Sequence, residues 1–389
     1  MTLVNAHPEP DRIAGAPHPR DTIKLLGQSR AKTTFLNAFR TNRMHHGWLI
    51  HGPRGIGKAT LAWTIARFLL ATSMASNTGL SGETFPTSET LEIPQDHPVA
   101  QRLRAGSEPG LFVLRRPYDQ KTNRLKAQIT VDEVRKLKNF FALSATDGGR
   151  RVVIVDSADE MNISAANAIL KLLEEPPERC CLFLISHQPA GLLPTLRSRC
   201  CDLRLQPLAQ AQIATALKQI EKAAEPATYP ENEAQNGEQT LALAELAAGS
   251  VGAAVRLRQL DGLALYHDLV GVFNHGSEIN QMQAIKLAES AAVRGAEDRF
   301  DMLVSLFDTM LIRLARYGVT RQMPTIEIVN DEFDVLRRAA PDAIAGRAWA
   351  EIAQQIGARM QHGRTVNLDP AALILDTVFK MQRTAAGGA

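Results

Sequence analysis

Residues 52–58 carry the clearest chemical motif in the chain, with the pattern G-x-x-x-x-G-K. Glycines let successive backbone N–H groups turn inward around phosphate oxygens, and the closing lysine adds a positive charge. The motif lies between the apolar run 48–50 and an amphipathic stretch predicted to be helical, whose N-terminus favours an anion. A tight turn without a ligand is the alternative. The motif predicts a phosphate site formed by Gly52, Pro53, Arg54, Gly55, Ile56, Gly57 and Lys58.

The residue after Lys58 weakens any metal site at this loop. The full motif has Ser or Thr there, and its hydroxyl binds Mg²⁺, whereas this chain has Ala59. Thr60 comes one residue later, about 100° further round a helix, so it is a poor substitute. We therefore expect binding of ATP or ADP to be weak, with Ala59 and Thr60 beside the phosphates.

A second acidic position follows the apolar run 152–155. Asp156 ends this strand and is placed to hold Mg²⁺ through water. Ser157 comes next, and a serine hydroxyl cannot act as the general base because it holds its proton too tightly near neutral pH. Asp159 and Glu160 are either solvated acids at a helix cap or a displaced base. The pattern predicts that hydrolysis by this chain is crippled.

Strands and helices alternate around these residues. The runs 48–50, 152–155 and 182–185 are uniformly apolar, and 203–205 could form a further strand. Uniformly apolar strands are typical of a parallel sheet that helices cover on both faces. After Pro207 the pattern is helical only. The helices predicted before that point cover residues 26–40, 58–70, 130–143 and 165–175.

Composition shifts divide the chain into a short tail and three domains. A polar, turn-rich excursion on the surface is expected at 72–110, and the apolar stripe 303–314 predicts a packed helix. The predicted parts are a mobile tail at 1–20, an α/β domain at 21–206, a small helical domain at 207–262 with a long exposed polar loop at 221–240, and a helical C-terminal domain at 263–389.

The overall composition is that of a soluble globular protein, with 389 residues, 45% hydrophobic and 22% charged. A net charge of +3 is too small for a surface that coats nucleic acid. The four cysteines form two adjacent pairs, at 180–181 and 200–201, which suits buried thiols in a reducing compartment better than a metal site. No signal peptide or long apolar segment is evident, so we expect a cytoplasmic protein with no membrane partner.

Two long motifs carry a family resemblance. Residues 167–178 read N-A-I-L-K-L-L-E-E-P-P-E, and residues 196–200 read L-R-S-R-C. Together with H-G-W-L-I-H-G at 46–52, they closely resemble the signatures of bacterial DNA polymerase III clamp-loader subunits of the AAA+ superfamily. The resemblance covers residues 24–206 strongly and the rest only in layout. It implies an α/β AAA+ P-loop domain with a parallel sheet, a small helical lid domain and an all-α C-terminal collar domain.

Within that family, three positions separate ATPase motors from non-motor subunits. Gamma/tau motors carry a Thr after the lysine, a Glu after the aspartate, and an arginine after a Gly-Ser pair, whereas this chain has Ala59, Ser157 and Gly252. The combination resembles delta-prime subunits. The alternatives are a gamma/tau-like motor that hydrolyses ATP itself and an unrelated P-loop enzyme such as a small-molecule kinase. The kinase would not explain the S-R-C motif at 198–200.

The resemblance also implies partners and a role for Arg199. In the S-R-C motif this arginine would be a finger that reaches a neighbouring subunit's γ-phosphate, although local pairing on the surface is the alternative. The chain would be a stator in a hetero-pentamer with gamma/tau and delta subunits, which loads the sliding clamp onto primer-template DNA. It would have no polymerase active site. Family members often carry four zinc-binding cysteines within 72–110; this chain has none there, so no zinc is expected.

Overall fold

The computed structural model describes residues 9–22, 24–78, 89–142, 149–223, 233–273, 280–293 and 297–387. The chain divides into two compact units. The first comprises Met1–Pro226 with Gly249–Gly252, and the second comprises Ala227–Ala248 with Ala253–Ala389. The predicted small helical domain at 207–262 is shared between these units, so the division into three domains stays a prediction.

The first unit is built on a parallel sheet. The strands are β1 (Gly47–His51), β2 (Leu111–Arg115), β3 (Tyr118–Asp119), β4 (Arg124–Leu125), β5 (Arg151–Asp156), β6 (Cys180–Ser186) and β7 (Cys201–Arg204). Five of them form one sheet in the order β2-β5-β6-β1-β7, and every pair of neighbours is parallel. The short strands β3 and β4 pair with each other in antiparallel fashion. The predicted parallel sheet is confirmed.

Helices cover both faces of this sheet. They are α1 (Ser29–Arg40), α2 (Lys58–Thr78), α3 (Pro98–Ala105), α4 (Val131–Ala142), α5 (Ile163–Glu174) and α6 (Pro194–Arg197). Helix α7 (Gln210–Ala223) follows the last strand. Side chains of β5 alternate between two apolar cores, because successive residues of a strand point to opposite faces. Val152 and Ile154 pack with α1, α2 and α3, while Val153 and Val155 pack with α4 and α5. This double burial explains why the strands are apolar throughout.

The segment 72–110 differs from the predicted surface excursion. Helix α2 continues to Thr78, and α3 and β2 follow within the described part of the segment. Leu91 and Ile93 are buried in the core that contains α2. Apolar residues spaced among polar ones therefore anchor this stretch, and the sequence prediction missed both α3 and the edge strand β2.

Residues 9–20 pack on the first unit rather than forming a separate tail. His18 is buried, its ring meets Trp63 edge-on at 5.6 Å, and the backbone carbonyl of Arg20 accepts a hydrogen bond from Arg67 at 2.7 Å. Trp63 and Arg67 belong to α2. The prediction of a tail is corrected for these residues because charged and aromatic partners hold them; residues 1–8 lie outside the described ones.

All the regular secondary structure in the described residues of the second unit is helical. Its helices are α8 (Glu233–Leu246), α9 (Val251–Gln259, whose first two residues belong to the first unit), α10 (Gly262–Val272), α11 (Gln281–Ala292), α12 (Glu297–Thr320), α13 (Glu332–Ala339), α14 (Ala343–Thr365) and α15 (Pro370–Ala385). The stripe predicted at 303–314 is the buried face of α12. Helices α12 and α14 meet where Gly318 faces Gly346: a Cβ added to Gly318 would lie 2.6 Å from the Gly346 Cα atom.

The described residues of the polar stretch 221–240 are helical rather than the loop that was predicted. Helix α7 runs to Ala223 and α8 begins at Glu233. The residues between 223 and 233 lie outside the described ones. Glu, Gln and Ala are good helix formers, so polarity alone did not mark a loop.

One further property concerns membranes. In the described part of the chain, no single helix is long and apolar enough to cross a membrane. One bent pair of helices, 237–246 with 251–259, has the length and composition for a span when the two are taken together.

Candidate functional site

The predicted phosphate loop connects β1 to α2 at the carboxyl edge of the sheet. Gly52, Gly55 and Gly57 all have positive φ angles, of 143°, 74° and 97°, which side chains rarely tolerate. Pro53 and Arg54 are exposed at the turn. The side chain of Ile56 is fully buried in the core of α1, α2 and α3 rather than facing a ligand. The loop therefore keeps the backbone shape that a phosphate site requires.

Lys58 is buried and bound to its own loop. Its ammonium group donates hydrogen bonds to the carbonyl oxygen of Gly52 at 2.7 Å and to that of Pro53. Burial lowers the pKa of Lys58 to about 8, although the nearby charge of Asp156 acts in the opposite direction. The lysine is thus satisfied within the loop and would exchange these carbonyls for phosphate oxygens on binding a nucleotide.

Asp156 ends β5 at the same edge of the sheet, two strands from the loop. Its side chain is buried, and one carboxylate oxygen, Oδ2, has no hydrogen-bond partner; the buried hydroxyl of Ser157 has none either. Burial raises the pKa of Asp156 to about 7, helped by the negative charges of Asp11 and Glu160. An unpaired buried carboxylate is the kind of group that a cation would stabilise.

The residues around the loop fit a phosphate better than a loop-bound Mg²⁺. Ala59 is half-buried and packs against the apolar core, so the position of the usual metal ligand offers no oxygen. Thr60 is also half-buried. A nucleotide here would be held by the backbone N–H groups of the loop and by Lys58. Asp156 is the one acid that the sequence predicted to hold its metal ion.

The two other acids near the strand end are engaged elsewhere. Asp159 accepts hydrogen bonds from the Ser186 hydroxyl at 2.7 Å and from the backbone N–H groups of His187 and Gln188. Glu160 pairs with Arg116 at 2.7 Å. Asp159 therefore braces the turn after β6 and Glu160 belongs to an ion pair, so neither carboxylate is aimed at the loop as a displaced base.

Sequence reasoning missed the contacts that hold the loop from outside. The Ser250 hydroxyl donates to the carbonyl of Arg54 at 2.9 Å, and the backbone N–H of Gly252 donates to the carbonyl of Gly55 at 3.0 Å. The Gln28 side chain donates to the carbonyl of Ile56 at 3.3 Å and to that of Gln206 at 2.7 Å. The motif at 249–252 was noted only for its missing arginine; here it braces the phosphate loop.

Arg199 lies away from the loop, just beyond α6. Its guanidinium pairs with Glu174 at 3.0 Å, donates to the Thr195 carbonyl at 3.2 Å, and is 40% exposed. A Cβ added to Gly47, the first residue of β1, would lie 3.2 Å from the Arg199 carbonyl oxygen. The loop begins at the other end of β1, about 13 Å away at roughly 3.3 Å per residue. Arg199 therefore lies at the amino ends of the strands, whereas the loop lies at their carboxyl ends.

A parallel sheet in which an inner strand leads through a glycine-rich loop into a helix, with an acid at the end of a nearby strand, defines a P-loop domain of the AAA+ class. Residues 27–209 match the family described as DNA polymerase III, delta subunit. The match covers less than half of the chain, and within it the chain is similar to DNA polymerase III subunits.

Individual curated proteins resemble parts of this chain. The DNA polymerase III subunit delta' of Pseudomonas aeruginosa is 36% identical over 247 residues, which cover 63% of this chain and 65% of that protein. The delta' subunit of Escherichia coli K12 is 30% identical over 58% of each chain. The gamma subunit of Buchnera aphidicola (Schizaphis graminum) is 26% identical over 52% of this chain and 50% of its own. The matched region thus spans less than two thirds of each of these relatives.

Proposed function

We propose that this chain is the non-motor delta-prime subunit, a stator, of a DNA polymerase III clamp loader. In this role it joins gamma/tau and delta subunits in a hetero-pentamer that loads the sliding clamp onto primer-template DNA. Arg199 supplies an arginine finger to the ATP site of a neighbouring subunit. Two observations support this proposal: the similarity to delta-prime subunits, and the placement of Arg199 and the phosphate loop at opposite ends of the strands.

The position of Arg199 carries the proposal. An arginine that helped its own site would have to reach the carboxyl edge of the sheet, where Lys58 lies. Arg199 instead lies by the amino end of β1, half-exposed, with its guanidinium held by Glu174. A planar guanidinium at an exposed edge suits a γ-phosphate presented by another subunit, because it can bind two oxygens at once.

The state of the loop supports a stator rather than a motor. Ala59 supplies no metal ligand, Ser157 supplies no base, and Gly252 stands where motors carry an arginine. Asp159 and Glu160 do not replace the base, because each is bound to other groups. Binding of ATP or ADP would be weak and would depend on the loop backbone and Lys58.

The alternative function is a gamma/tau-like motor that hydrolyses ATP itself. We expect the isolated full chain to turn over ATP far below the ordinary enzyme range of roughly 1–10³ s⁻¹, because both the metal ligand and the base are missing. The measurement is steady-state release of phosphate with Mg²⁺ and ATP. Lys58→Ala is the matched control, since a contaminating ATPase would be equally active in both preparations. Turnover within the enzyme range that disappears in Lys58→Ala would establish the motor and reject the stator.

A further inference from the structure

Residues 9–13, here called the acidic strap, run across the edge of the sheet that carries the phosphate loop. The strap reads Glu-Pro-Asp-Arg-Ile. Its two carboxylates bind the guanidinium of Arg115, Glu9 at 2.8 Å and Asp11 at 2.9 Å. Arg115 is the last residue of β2 and is the register partner of Asp156 on β5. One end of the strap is therefore fixed beside the acid of the candidate site.

His18 reinforces this end of the strap. Its Nε2 atom lies 3.2 Å from Asp11 and 3.3 Å from Glu9, and the Asp11 side chain is fully buried. Arg115 and His18 thus enclose the two carboxylates at the carboxyl edge of the sheet. The nearby Asp11 charge is also one of the causes that raise the pKa of Asp156, after burial.

The other end of the strap reaches the phosphate loop. A Cβ added to Gly252 would lie 2.7 Å from the Cδ1 atom of Ile13 and 2.9 Å from the Cα atom of Gly55. The Ile13 side chain and Gly55 of the loop therefore both pack against Gly252. Between Arg115 and Gly55, the strap bridges the crevice at the carboxyl ends of the strands, which is where α/β sheets bind their ligands.

We propose that the acidic strap is an autoinhibitory element that competes within the chain with the phosphate groups of a nucleotide. Its carboxylates hold negative charge next to Asp156, and a nucleoside diphosphate entering the same crevice would add more. The Ile13 side chain also lies against Gly252, which contacts a loop whose glycines keep a phosphate-binding shape. Nucleotide binding therefore requires release of the strap, and the weak binding expected of this chain reflects that competition in addition to the missing metal ligand.

The test is binding of ADP to the isolated full chain, measured by titration calorimetry. Glu9→Gln/Asp11→Asn removes both carboxylates, and we expect it to bind ADP at least tenfold more tightly than the unaltered chain. Asp132→Asn/Glu133→Gln on α4 is the matched control, since it removes the same charge from exposed pairs with Arg135 and Lys136. Adding Lys58→Ala to the strap variant should abolish the gain. Unchanged affinity in the strap variant, including no binding at all, would overturn the proposal.

A second measurement uses the unaltered chain and so does not depend on a variant folding. Hydrogen exchange of residues 9–16 is followed without nucleotide and with ADP at a concentration that saturates the loop. The proposal predicts that exchange in this segment speeds up at least tenfold when ADP binds. Equal or stronger protection with ADP bound would show that the strap and the nucleotide coexist. Neither outcome bears on Arg199, so the strap can fail while the proposed stator role stands.

Discussion

At the scale of single residues, the proposed function depends on two cationic side chains that lie far apart in the fold. Lys58 is buried and satisfied by carbonyls of its own loop, whereas Arg199 is half-exposed and paired with Glu174. Exposed ion pairs contribute only ~0–1 kcal/mol, so the Arg199–Glu174 pair can open at little cost. In the proposed role, Glu174 would hold the guanidinium until the γ-phosphate of a neighbouring subunit replaced it.

The carboxylates of Glu9 and Asp11 give a prediction about pH. Burial alone would raise the pKa of both, but the hydrogen bonds and charges of Arg115 and His18 outweigh it, so both pKa values lie below the ordinary range. A depressed folded-state pKa means that these groups stabilise the fold above about pH 4 and lose that effect as the pH falls through the folded values.

The matching experiment compares melting temperatures of the unaltered chain and Glu9→Gln/Asp11→Asn. At pH 7 the variant should be less stable by roughly 1–3 kcal/mol, because Arg115 and His18 lose charged partners. The difference should shrink as the pH falls through the lowered folded-state pKa values of Glu9 and Asp11, because the protonated carboxyls no longer pair with Arg115 and His18. A difference that stays constant across an acid titration would mean that these ion pairs do not stabilise the fold.

At the scale of elements, the start of α9 holds the phosphate loop in place. Where a motor would carry an arginine, Gly252 donates its N–H to the loop and lets two backbone segments approach closely. The φ angle of Gly252 is not positive, so the requirement for glycine is one of space alone.

Gly252→Ala tests this contact. The added Cβ would lie 2.9 Å from the Cα atom of Gly55, so the loop or the helix start must shift. We expect the free energy of unfolding to fall by roughly 1–3 kcal/mol, as for other overpacked sites. Gly357→Ala on α14 is the control: its Cβ meets open space, and relief of glycine flexibility should stabilise by ~0.5–1 kcal/mol. Equal stability of the two variants in urea unfolding would contradict the close packing.

The sequence predicted the elements better than their contacts. The inner strands β1, β5 and β6 were evident because burial on both faces makes them uniformly apolar. The edge strand β2 was missed, since it follows a polar stretch and is only half-buried. The bond between Ser250 and Arg54 joins residues 196 positions apart, and the strap reaches Arg115 over more than 100. Contacts between residues so far apart produce no periodic pattern in the local sequence, so they could not be predicted from it. A polar residue at the end of an apolar strand, as at Arg115, was the available signal.

At the scale of the whole molecule, the proposed role assigns different work to different parts. The α/β unit presents a braced loop at one edge of the sheet and Arg199 at the other. In the helical unit, Arg313 pairs with Glu332 at 2.6 Å and Glu245 at 3.0 Å, and Glu332 also accepts a hydrogen bond from Tyr266 at 2.7 Å. This buried network fixes four helices against each other. A rigid helical unit suits the collar role that the family resemblance implies.

The most direct test of the central claim is ATP hydrolysis by a clamp loader reconstituted with Arg199→Ala. One motor site should border this subunit, and loss of an arginine finger slows a site by roughly 10³- to 10⁵-fold. We therefore expect DNA- and clamp-stimulated hydrolysis to fall by that one site's share, with affinity for a non-hydrolysable ATP analogue little changed, because the finger acts mainly on the transition state. Arg199→Lys should restore little, and Arg197→Ala, an exposed arginine two residues earlier, should behave like the unaltered chain. If a complex with Arg199→Ala assembles normally yet hydrolyses ATP and loads clamps at the unaltered rate, Arg199 is a surface arginine and the account is contradicted.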